Sequence, residues 1–569
     1  MNLARFVLLA APVLLVAQQP ATVSSQTGQP QPLQPTRPED LCSVEGQVVN
    51  AVTGEPVKKA EVSMNGRVAR RIAVAFGATS DATGRFVIEN VDPGQYNLSA
   101  ERNGFVRQQY GARGPDRAGS PLTLNPGQNA RDLVFRLLPQ GVITGHVVDE
   151  DGEPVEYAQV RVMRYRFVRG QRQMAAAGNA STDDLGEYRV FALTPGKYYL
   201  SATYHQRNVM MEAQDRTPRG AAEEGYVPTY FPGTNDPAGA GVIDVSPGAV
   251  LSGVDVALHK TRTLRIRGRV VNPLGEGLPP FVQIRLVSRN PALAGLNSAV
   301  ARVVQNRGGT FEVRDLTPGA YFLMAQWQEE GKPRVIKQPV DLGNSNVDDL
   351  SVPLSAPLDV KGQVRVDGTG DVNLGNVTVG LDPQGPMFIG RASAKLKDDG
   401  SFALDKVNAD NYAVSVYGLP QNFYVKSIRM GDVDGLDAGL DLTRGSAGAL
   451  DIVISPNGGQ VEGTVADPKG QLASGATVVL VPDAPHREQS ALFKTVNTDT
   501  SGHFSMQGIT PGDYKLFAWE DVESGAYQDL EFLRPFESEG ESVTIREGGR
   551  ESRQLKLIPA ESTPKSSGN

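Results

Sequence analysis

The chain has 569 residues, which is too long for one hydrophobic core, and this length predicts about four or five domains of ordinary size. Its hydrophobic content of 40% and charged content of 21% are those of a packed globular protein and exclude an intrinsically disordered chain. The formal net charge of −8 argues against nucleic acid as a partner, because binding to phosphates needs a basic face.

The first residues have the pattern of an export signal. Positive charge at the amino terminus and at Arg5 precedes an apolar run from Phe6 to Ala17. Such a run is too short to span a bilayer comfortably, so we predict a signal peptide at 1–21 and a disordered linker, rich in Gln, Pro and Thr, at 22–41. An uncleaved amino-terminal anchor is the alternative. We expect no transmembrane span in the mature chain, and an exported protein in the periplasm, at the cell surface or outside the cell.

A turn with an acidic residue, a glycine and an aromatic residue recurs along the chain. Its copies occupy residues 81–86, 183–188, 306–311, 398–402 and 499–504, the third beginning with Asn in place of Asp. Asp and Asn close such a turn on their own backbone, and glycine adopts the positive φ of a hairpin return. We therefore predict that the aromatic residue begins a strand with its ring turned inward.

A second turn follows each of these after a short alternating stretch. Most copies contain Pro-Gly, which favours a type II turn, whereas the fourth unit has residues 408–411 in its place. Every copy ends in a tyrosine, at Tyr96, Tyr198, Tyr321, Tyr412 and Tyr514. This tyrosine resembles a tyrosine corner, in which the hydroxyl group donates a hydrogen bond back to the backbone.

Alternating strands flank each pair of turns and complete a repeating unit. The first strand of each unit carries a glycine, at Gly46, Gly145, Gly268, Gly362 and Gly463. Short strands without a helical period predict an all-β fold, a tandem array of five Ig-like or transthyretin-like Greek-key β-sandwich domains with antiparallel strands. We place the domains at 42–138, 139–260, 261–354, 355–456 and 457–559, before a polar tail at 560–569. The short linkers between them predict a semi-rigid rod.

Together these motifs resemble the carboxypeptidase regulatory-like domain family. The shared features are Gly-x-Val-x-Asp, Gly-x-Pro, Ala-x-Val, Asp-x-x-Gly-x-Phe and Pro-Gly-x-Tyr, and they cover nearly the whole chain after Leu41, with the fourth unit fitting most loosely. The segment 226–234 is similar to one that is common in large exported acidobacterial members. The resemblance implies a transthyretin-like sandwich of the carbohydrate-binding-like fold, used as a folding and interaction module without catalysis.

The sequence has no pattern of catalytic or metal-binding residues. Its histidines are isolated from one another, no H-E-x-x-H motif occurs, and the single cysteine, Cys42, provides no zinc spacing. The acidic run at 432–437 lacks the carboxylate that an EF-hand needs at its last position, which favours a solvated turn over a calcium site. We predict that the protein is not an enzyme and that it has no catalytic residues, metal ligands or cofactor.

Aromatic residues are the best candidates for carbohydrate binding. Flat aromatic faces suit the apolar faces of sugar rings, while polar neighbours bind the hydroxyl groups. The candidates are Tyr226, Tyr230, Phe231, Trp327 and Trp519. Core packing or contact between domains explains the same residues. The Arg-rich hairpin at 161–172 also has two interpretations, an arm for an anionic polysaccharide or lipid and a half-exposed strand, of which the strand is favoured.

Two functional hypotheses follow from these patterns. The first is a non-catalytic, exported, multidomain structural or adhesive protein that binds carbohydrate through loops of the sandwiches, with a polysaccharide or an envelope protein as its partner. The alternative is an accessory or regulatory subunit of an envelope peptidase or receptor system. Capture of a glycan favours the first hypothesis, whereas capture of one protein partner without any glycan favours the second.

Overall fold

The computed structural model describes residues 37–560 apart from 69–70, 113, 116, 118, 169, 205–222, 274, 276, 294–297, 303–307, 369–373, 386–389 and 446–447. The predicted signal peptide, most of the predicted linker and nearly all of the predicted polar tail therefore lie outside the described residues, as does His205. Among the residues that are described, no helix is both long enough and apolar enough to cross a bilayer.

The first unit folds into two facing sheets. Its strands are β1 (Cys42–Asn50), β2 (Glu61–Val68), β3 (Arg71–Thr79), β4 (Arg85–Val91), β5 (Gly94–Glu101), β6 (Gln108–Gln109), β7 (Leu122–Leu124) and β8 (Asn129–Leu137). One sheet has the order β4-β1-β8, and the other has the order β3-β2-β5-β6 with β7 also paired to β5. Val62 and Tyr96 of the second sheet share one buried cluster with Phe86 and Phe135 of the first, so the unit is a sandwich.

The second unit repeats this plan with longer connections. Its strands are β9 (Gly141–Val148), β10 (Gln159–Val168), β11 (Gln171–Ser181), β12 (Glu187–Leu193), β13 (Gly196–Thr203), β14 (Glu223–Tyr226), β15 (Thr229–Tyr230), β16 (Ile243–Val245), β17 (Val250–Leu251) and β18 (Val256–Ala257). One sheet has the order β12-β9-β17 with β18 on β9, and the other has the order β11-β10-β13-β15 with β16 on β13. The Arg-rich hairpin is the antiparallel pair β10 and β11, whose register shifts between Val162 and Met163, which agrees with its interpretation as a strand.

The third unit takes one strand from the chain of the second. Its own strands are β19 (Lys260–Val271), β20 (Gln283–Ser288), β21 (Ser298–Arg302), β22 (Thr310–Leu316), β23 (Gly319–Glu329), β24 (Lys332–Leu342) and β25 (Val347–Pro353). The order β21-β20-β23-β24 forms one sheet. In the other sheet β22 and β25 flank β19, and β14 extends it by antiparallel pairing with β19.

The fourth and fifth units complete the described chain. The fourth has β26 (Leu358–Val366), β27 (Thr378–Pro383), β28 (Ala392–Lys395), β29 (Ser401–Val407), β30 (Asn411–Tyr417), β31 (Tyr424–Met430), β32 (Val433–Asp434), β33 (Leu440–Asp441) and β34 (Leu450–Ser455). The fifth has β35 (Gly459–Ala466), β36 (Thr477–Pro482), β37 (Lys494–Asn497), β38 (His503–Ile509), β39 (Gly512–Trp519), β40 (Glu541–Ile545) and β41 (Arg550–Ile558). The fourth unit has sheets β29-β26-β34-β31-β32 and β28-β27-β30-β33, whereas β39 and β41 join the two sheets of the fifth.

Helical structure in the described residues is confined to short segments. The α-helix α1 (Leu530–Leu533) lies in the connection between β39 and β40. Single turns of 3-10 helix occur at Pro38–Asp40, Pro237–Gly239, Pro291–Leu293, Leu374–Asn376, Ala484–His486, Ser490–Leu492, Ala526–Gln528 and Arg534–Phe536. The all-β fold class and the tandem β-sandwich array predicted from the sequence are therefore confirmed.

Each unit has its own hydrophobic core and at least one pair of parallel strands, and the second and fifth units have two such pairs. The main buried clusters draw on residues 42–137, 143–258, 264–354, 360–454 and 461–557 in turn. In every unit the first strand pairs in parallel with the last one or two. The prediction of purely antiparallel sheets is therefore wrong, because the period-2 pattern of a strand does not reveal the direction of its neighbour.

The first predicted turn forms in the described residues, where its glycines have a φ of 71–79°, although Asn306, which begins the third copy, lies outside them. The prediction of a type II turn at Pro-Gly is wrong, because Gly94, Gly319 and Gly512 have no positive φ and Gly196 has a φ of 152°. Each of these glycines is the first residue of a strand and has extended backbone instead.

The rings after the first turn point into the sandwiches, and the five residues are Phe86, Tyr188, Phe311, Phe402 and Phe504. The hydroxyl group of every corner tyrosine donates a hydrogen bond to the carbonyl oxygen four residues earlier, at 2.7–2.9 Å in Tyr96, Tyr321, Tyr412 and Tyr514. Tyr198 makes the same bond to Thr194. The prediction of a tyrosine corner is confirmed in all five units, including the fourth, which lacks Pro-Gly.

The units do not follow one another as a straight rod. Arg117 of the first unit forms an ion pair with Asp521 of the fifth. The ring of Phe167, in the second unit, lies 6.3 Å from that of Phe532, in the fifth. The chain therefore folds back on itself, which short linkers permit but do not reveal.

Candidate functional site

Three of the five aromatic candidates lie in buried packing. Tyr230 is 1% exposed and packs with Met163, Met174 and Tyr199 on the outer side of its sheet. Trp327 is 7% exposed and belongs to the core of the third unit. Neither ring has an open face on which a sugar can stack, so the structure contradicts their assignment as carbohydrate-binding residues.

Trp519 is also buried, for a different reason. Its side chain is 0% exposed and stacks on Phe517 with ring centroids 5.1 Å apart. Both residues lie on the face of β39 that points away from the core of the fifth unit, and both belong to the cluster that the connection at 520–540 covers. The assignment of Trp519 to a sugar site is wrong, because a segment that follows it in the sequence folds over its ring.

Tyr226 and Phe231 retain partial exposure, and Tyr226 pairs with Lys260 at the junction between the second and third units. The Tyr226 hydroxyl group donates a hydrogen bond of 3.0 Å to one carboxylate oxygen of Glu150, and the Lys260 ammonium group donates one of 2.8 Å to the other. Lys260 also lies 5.3 Å from the centre of the Tyr226 ring. Phe231 packs against the core of the second unit. An acceptor, a cation and an aromatic ring thus meet in a small, accessible cluster.

Charge determines the protonation states in this cluster. The hydrogen bond from Lys260 is the main reason that the pKa of Glu150 falls to about 2, and the bond from Tyr226 lowers it further. Glu150 in turn raises the pKa of Lys260. Burial, followed by the bond to Glu150, raises the pKa of Tyr226. Near neutral pH the cluster therefore holds a carboxylate, an ammonium group and a neutral phenol, which suits hydrogen bonding to sugar hydroxyl groups.

A polar cleft of about 690 Å³ in the fifth unit was not predicted from the sequence. Glu537 accepts hydrogen bonds from Arg487 and, at 3.0 Å, from Lys515. The bond from Arg487 is the main reason that the pKa of Glu537 is lowered. Arg546 and Arg553 also line the cleft. No local motif could reveal it, because its residues come from separate stretches between 483 and 553.

The histidines and acidic residues form no metal centre in the described part of the chain. Within those residues no group of three or more His, Cys, Asp or Glu side chains has an arrangement that could hold a metal ion. His146 lies 3.2 Å from Asp255 and His486 lies 2.6 Å from Asp483, each as an exposed pair. Asp437, from the acidic run, accepts a hydrogen bond of 2.6 Å from Gln489 of the fifth unit.

The most extensive side-chain contacts join neighbouring units. The buried guanidinium group of Arg334, in the third unit, donates to the carbonyl oxygens of Lys406 at 3.0 Å, Val407 at 3.2 Å and Ser355 at 3.2 Å. Between the fourth and fifth units, Glu547 accepts a hydrogen bond of 3.1 Å from Ser455. These contacts use charged and polar groups to hold the backbones of adjacent sandwiches together.

Comparison with known proteins agrees with the repeat. The family model of the carboxypeptidase regulatory-like domain matches residues 43–138 and 142–213. No curated protein matches the chain.

The solved structures that resemble the chain include two pilins and the Bacillus anthracis TIE protein. The Bacillus anthracis TIE protein is 13% identical, with 55% of this chain and 51% of that chain covered and a TM-score of 0.17. A minor pilin of Streptococcus agalactiae is 12% identical, and the match covers 38% of this chain and 96% of the pilin with a TM-score of 0.23. The major pilin subunit of Bacillus cereus is 11% identical, and the match covers 55% of this chain and 99% of the pilin with a TM-score of 0.14. Scores this low carry no argument about function.

The family match and the turn geometry agree on the same part of the chain. Both matched segments contain the Asp-turn aromatic residue and the corner tyrosine, at Phe86 and Tyr96 in the first and at Tyr188 and Tyr198 in the second. The resemblance to the carboxypeptidase regulatory-like domain family is therefore confirmed for residues 43–138 and 142–213, two tandem segments that match the family model.

Proposed function

We propose that the protein is an exported, non-catalytic structural or adhesive scaffold that presents a carbohydrate-binding surface. The observation that carries this proposal is the use of buried polar groups between units. Arg334 spans the boundary between the third and fourth units with hydrogen bonds to carbonyl oxygens on the far side, and Lys337 crosses it with a hydrogen bond to Asp410. Groups held in this way stabilise a fixed arrangement of domains, which is the property that a scaffold requires.

Carbohydrate binding is proposed for the cluster at the junction of the second and third units. Of the sequence candidates, Tyr226 and Phe231 keep an accessible part of their rings, and Glu150 and Lys260 supply an acceptor and a donor next to Tyr226. Sugar sites combine aromatic contact with a few polar groups in this way. A neutral or anionic polysaccharide of a cell envelope is the ligand class that fits.

A glycan array and a polysaccharide pull-down test the binding proposal with the full chain. We expect Tyr226→Ala combined with Phe231→Ala to lower affinity by about tenfold or more, since stacked aromatic contacts stabilise by ~1 kcal/mol or more each. Phe191→Ala is the matched control, because Phe191 is 64% exposed on the same unit and lies outside the cluster. Unchanged affinity in the double variant, or capture of one protein with no glycan, contradicts the proposal and favours the accessory-subunit alternative.

Export is tested by fractionating cells that express the full sequence. We expect the mature chain outside the cytoplasm and a version without residues 1–21 to stay inside. Equal distribution of the two versions would contradict export.

A further inference from the structure

Segments from three distant parts of the chain meet at the fifth unit. The connection at 520–540 lies between β39 and β40 and contains α1 and two 3-10 turns. The tip of the hairpin formed by β10 and β11 of the second unit contacts this connection, and so does Arg117 of the first unit. We call these contacts together the closing contact.

The apolar part of the closing contact is one phenylalanine side chain. Phe167, near the end of β10, packs against the cluster that contains Trp519, Leu533 and Phe536. Its ring is in edge contact with that of Phe532. The backbone of the two units also comes close, since a Cβ built on Gly525 would lie 3.2 Å from the carbonyl oxygen of Phe167. Phe167 is therefore inserted between segments of the fifth unit and does not lie on a flat surface.

The polar part of the closing contact consists of opposite charges from different units. Arg117 pairs with Asp521, and their side chains are 28% and 35% exposed. Glu523 accepts a hydrogen bond from the Phe167 backbone amide and lies within the electrostatic reach of Arg117, Arg164 and Arg166. The acidic residues all belong to the fifth unit, and the basic ones belong to the first and second. This separation of charge by unit gives the contact its specificity.

Few side chains carry the closing contact. They are the Phe167 ring, the Arg117–Asp521 ion pair, whose side chains are 28% and 35% exposed, and Glu523. The first and fifth units also touch where the side-chain amide of Asn497 donates a hydrogen bond of 3.4 Å to the carbonyl oxygen of Gly119. Interfaces of this kind within a chain resemble transient complexes, and domain motion across them is the default expectation. When two conformations of a protein differ in free energy by a few kcal/mol, the minor one is populated at about 0.1–10%.

We propose that the closing contact is a latch, which holds the fifth unit against the first two in a closed chain and releases to give an extended form. The hairpin tip with Phe167 is the movable part, and the connection at 520–540 is its receptor. Release exposes the edge of the Phe532 ring against which Phe167 packs and converts a folded-back chain into one that spans a greater distance.

The latch is tested with the full chain by small-angle X-ray scattering and sedimentation velocity. We expect Phe167→Ala with Arg117→Glu to raise the open-to-closed ratio by about thirtyfold or more, which corresponds to ~2 kcal/mol at 1.4 kcal/mol per tenfold. The radius of gyration and the maximum dimension should both increase, while circular dichroism shows that the sandwiches stay folded. Phe191→Ala serves as the control, since it removes an exposed ring from the same unit.

A charge-exchange variant separates the ion pair from general damage. Arg117→Glu alone should open the chain in part, and Arg117→Glu with Asp521→Arg should restore the closed dimensions. The latch is refuted if the native chain is already extended, if the Phe167→Ala, Arg117→Glu variant keeps the native dimensions, or if the exchanged pair does not restore closure. A native dimer that this variant dissolves would also refute it, because Phe167 would then bind a second copy.

Discussion

The glycine in the first strand of each unit lies where the closing strand of the same unit comes nearest. A Cβ added to Gly463 would lie 1.7 Å from the carbonyl oxygen of Arg553, and one added to Gly46 would lie 2.1 Å from that of Leu133. The partner of Gly463 across the sheet is the inward-facing Phe504, whose ring comes within 3.1 Å of the same point. The glycine and the aromatic residue thus form a complementary pair, and only a residue without Cβ leaves room for both neighbours.

This close approach predicts a severe effect of one methyl group. We expect Gly463→Ala to lower the free energy of unfolding of the fifth unit by about 3 kcal/mol, because the backbone of β41 or the ring of Phe504 has to move. Calorimetry of the full chain measures the shift of the corresponding transition. In the control, Gly343→Ala, the added methyl group meets nothing within 4 Å, and the midpoint should stay almost unchanged. Equal midpoints for both variants would contradict the packing argument.

At the scale of elements, every unit repeats the same irregularity in the strand that follows the first turn. The residue before the last buried position of this strand has a positive φ, and the pairing with the first strand shifts there in each case. The five residues are Asn90, Ala192, Asp315, Lys406 and Gly508. Such a bulge bends the strand, and no residue pattern indicates it outside the fifth unit, because only that unit has a glycine at the position.

The bulge predicts a stabilising substitution in the second unit. Ala192 has a φ of 60°, a conformation that costs an L-residue with Cβ about 1 kcal/mol and costs glycine little. We expect Ala192→Gly to raise the unfolding midpoint of this unit, by up to ~1 kcal/mol in free energy. Ala175→Gly, in the regular strand β11, should lower it by about 0.5–1 kcal/mol. A decrease in both variants would contradict the bulge geometry.

A second feature of the elements concerns the segment between the corner-tyrosine strand and the closing strand of each unit. In every unit this segment, which includes β24 in the third unit and β31 in the fourth, contacts another unit. The contacts are Arg117 to the fifth unit, β14 to the third, Arg334 to the fourth, Tyr424 to Glu547 of the fifth, and Phe532 to the second. One variable segment of the repeat therefore determines which sandwich lies next to which, while the strands and turns maintain the sandwich itself.

At the scale of the whole molecule, we expect the loss of Arg334 to destabilise both the third and the fourth unit. Its side chain is fully buried, and its removal leaves carbonyl oxygens of both flanking segments without a donor. We expect Arg334→Met to lower the free energy of unfolding of the third and fourth units by about 3 kcal/mol and to make the junction sensitive to protease.

An exposed arginine provides the comparison for Arg334. Arg365 pairs with Asp451, and its side chain is 58% exposed, so Arg365→Met should cost less than about 1 kcal/mol. Chemical denaturation and limited proteolysis of both variants measure the difference. If Arg334→Met and Arg365→Met had equal effects, the buried guanidinium group would not hold the two units together.

The burial of the two tryptophans shows how much a strand pattern reveals about a binding site. Trp327 lies on the same face of its strand as Leu323 and Ala325, which belong to the core of the third unit, so its burial follows from the period of the strand. Trp519 has the opposite parity to Tyr514, Leu516 and Ala518, which face the core of the fifth unit. Its strand pattern therefore predicts an exposed ring, and only the later connection covers it.

The sequence by itself determined the features that depend on neighbours along the chain: the first turn with its glycine, the inward aromatic residue, the corner tyrosine, and through them a row of β-sandwiches. These are local because a turn is closed by hydrogen bonds that span at most a few residues. The tertiary structure alone decided the parallel pairing of first and last strands, the burial of Tyr230 and Trp519, and the return of the fifth unit to the first two. Those features join residues up to 404 positions apart, as in Arg117 and Asp521, and no local pattern specifies such a pairing.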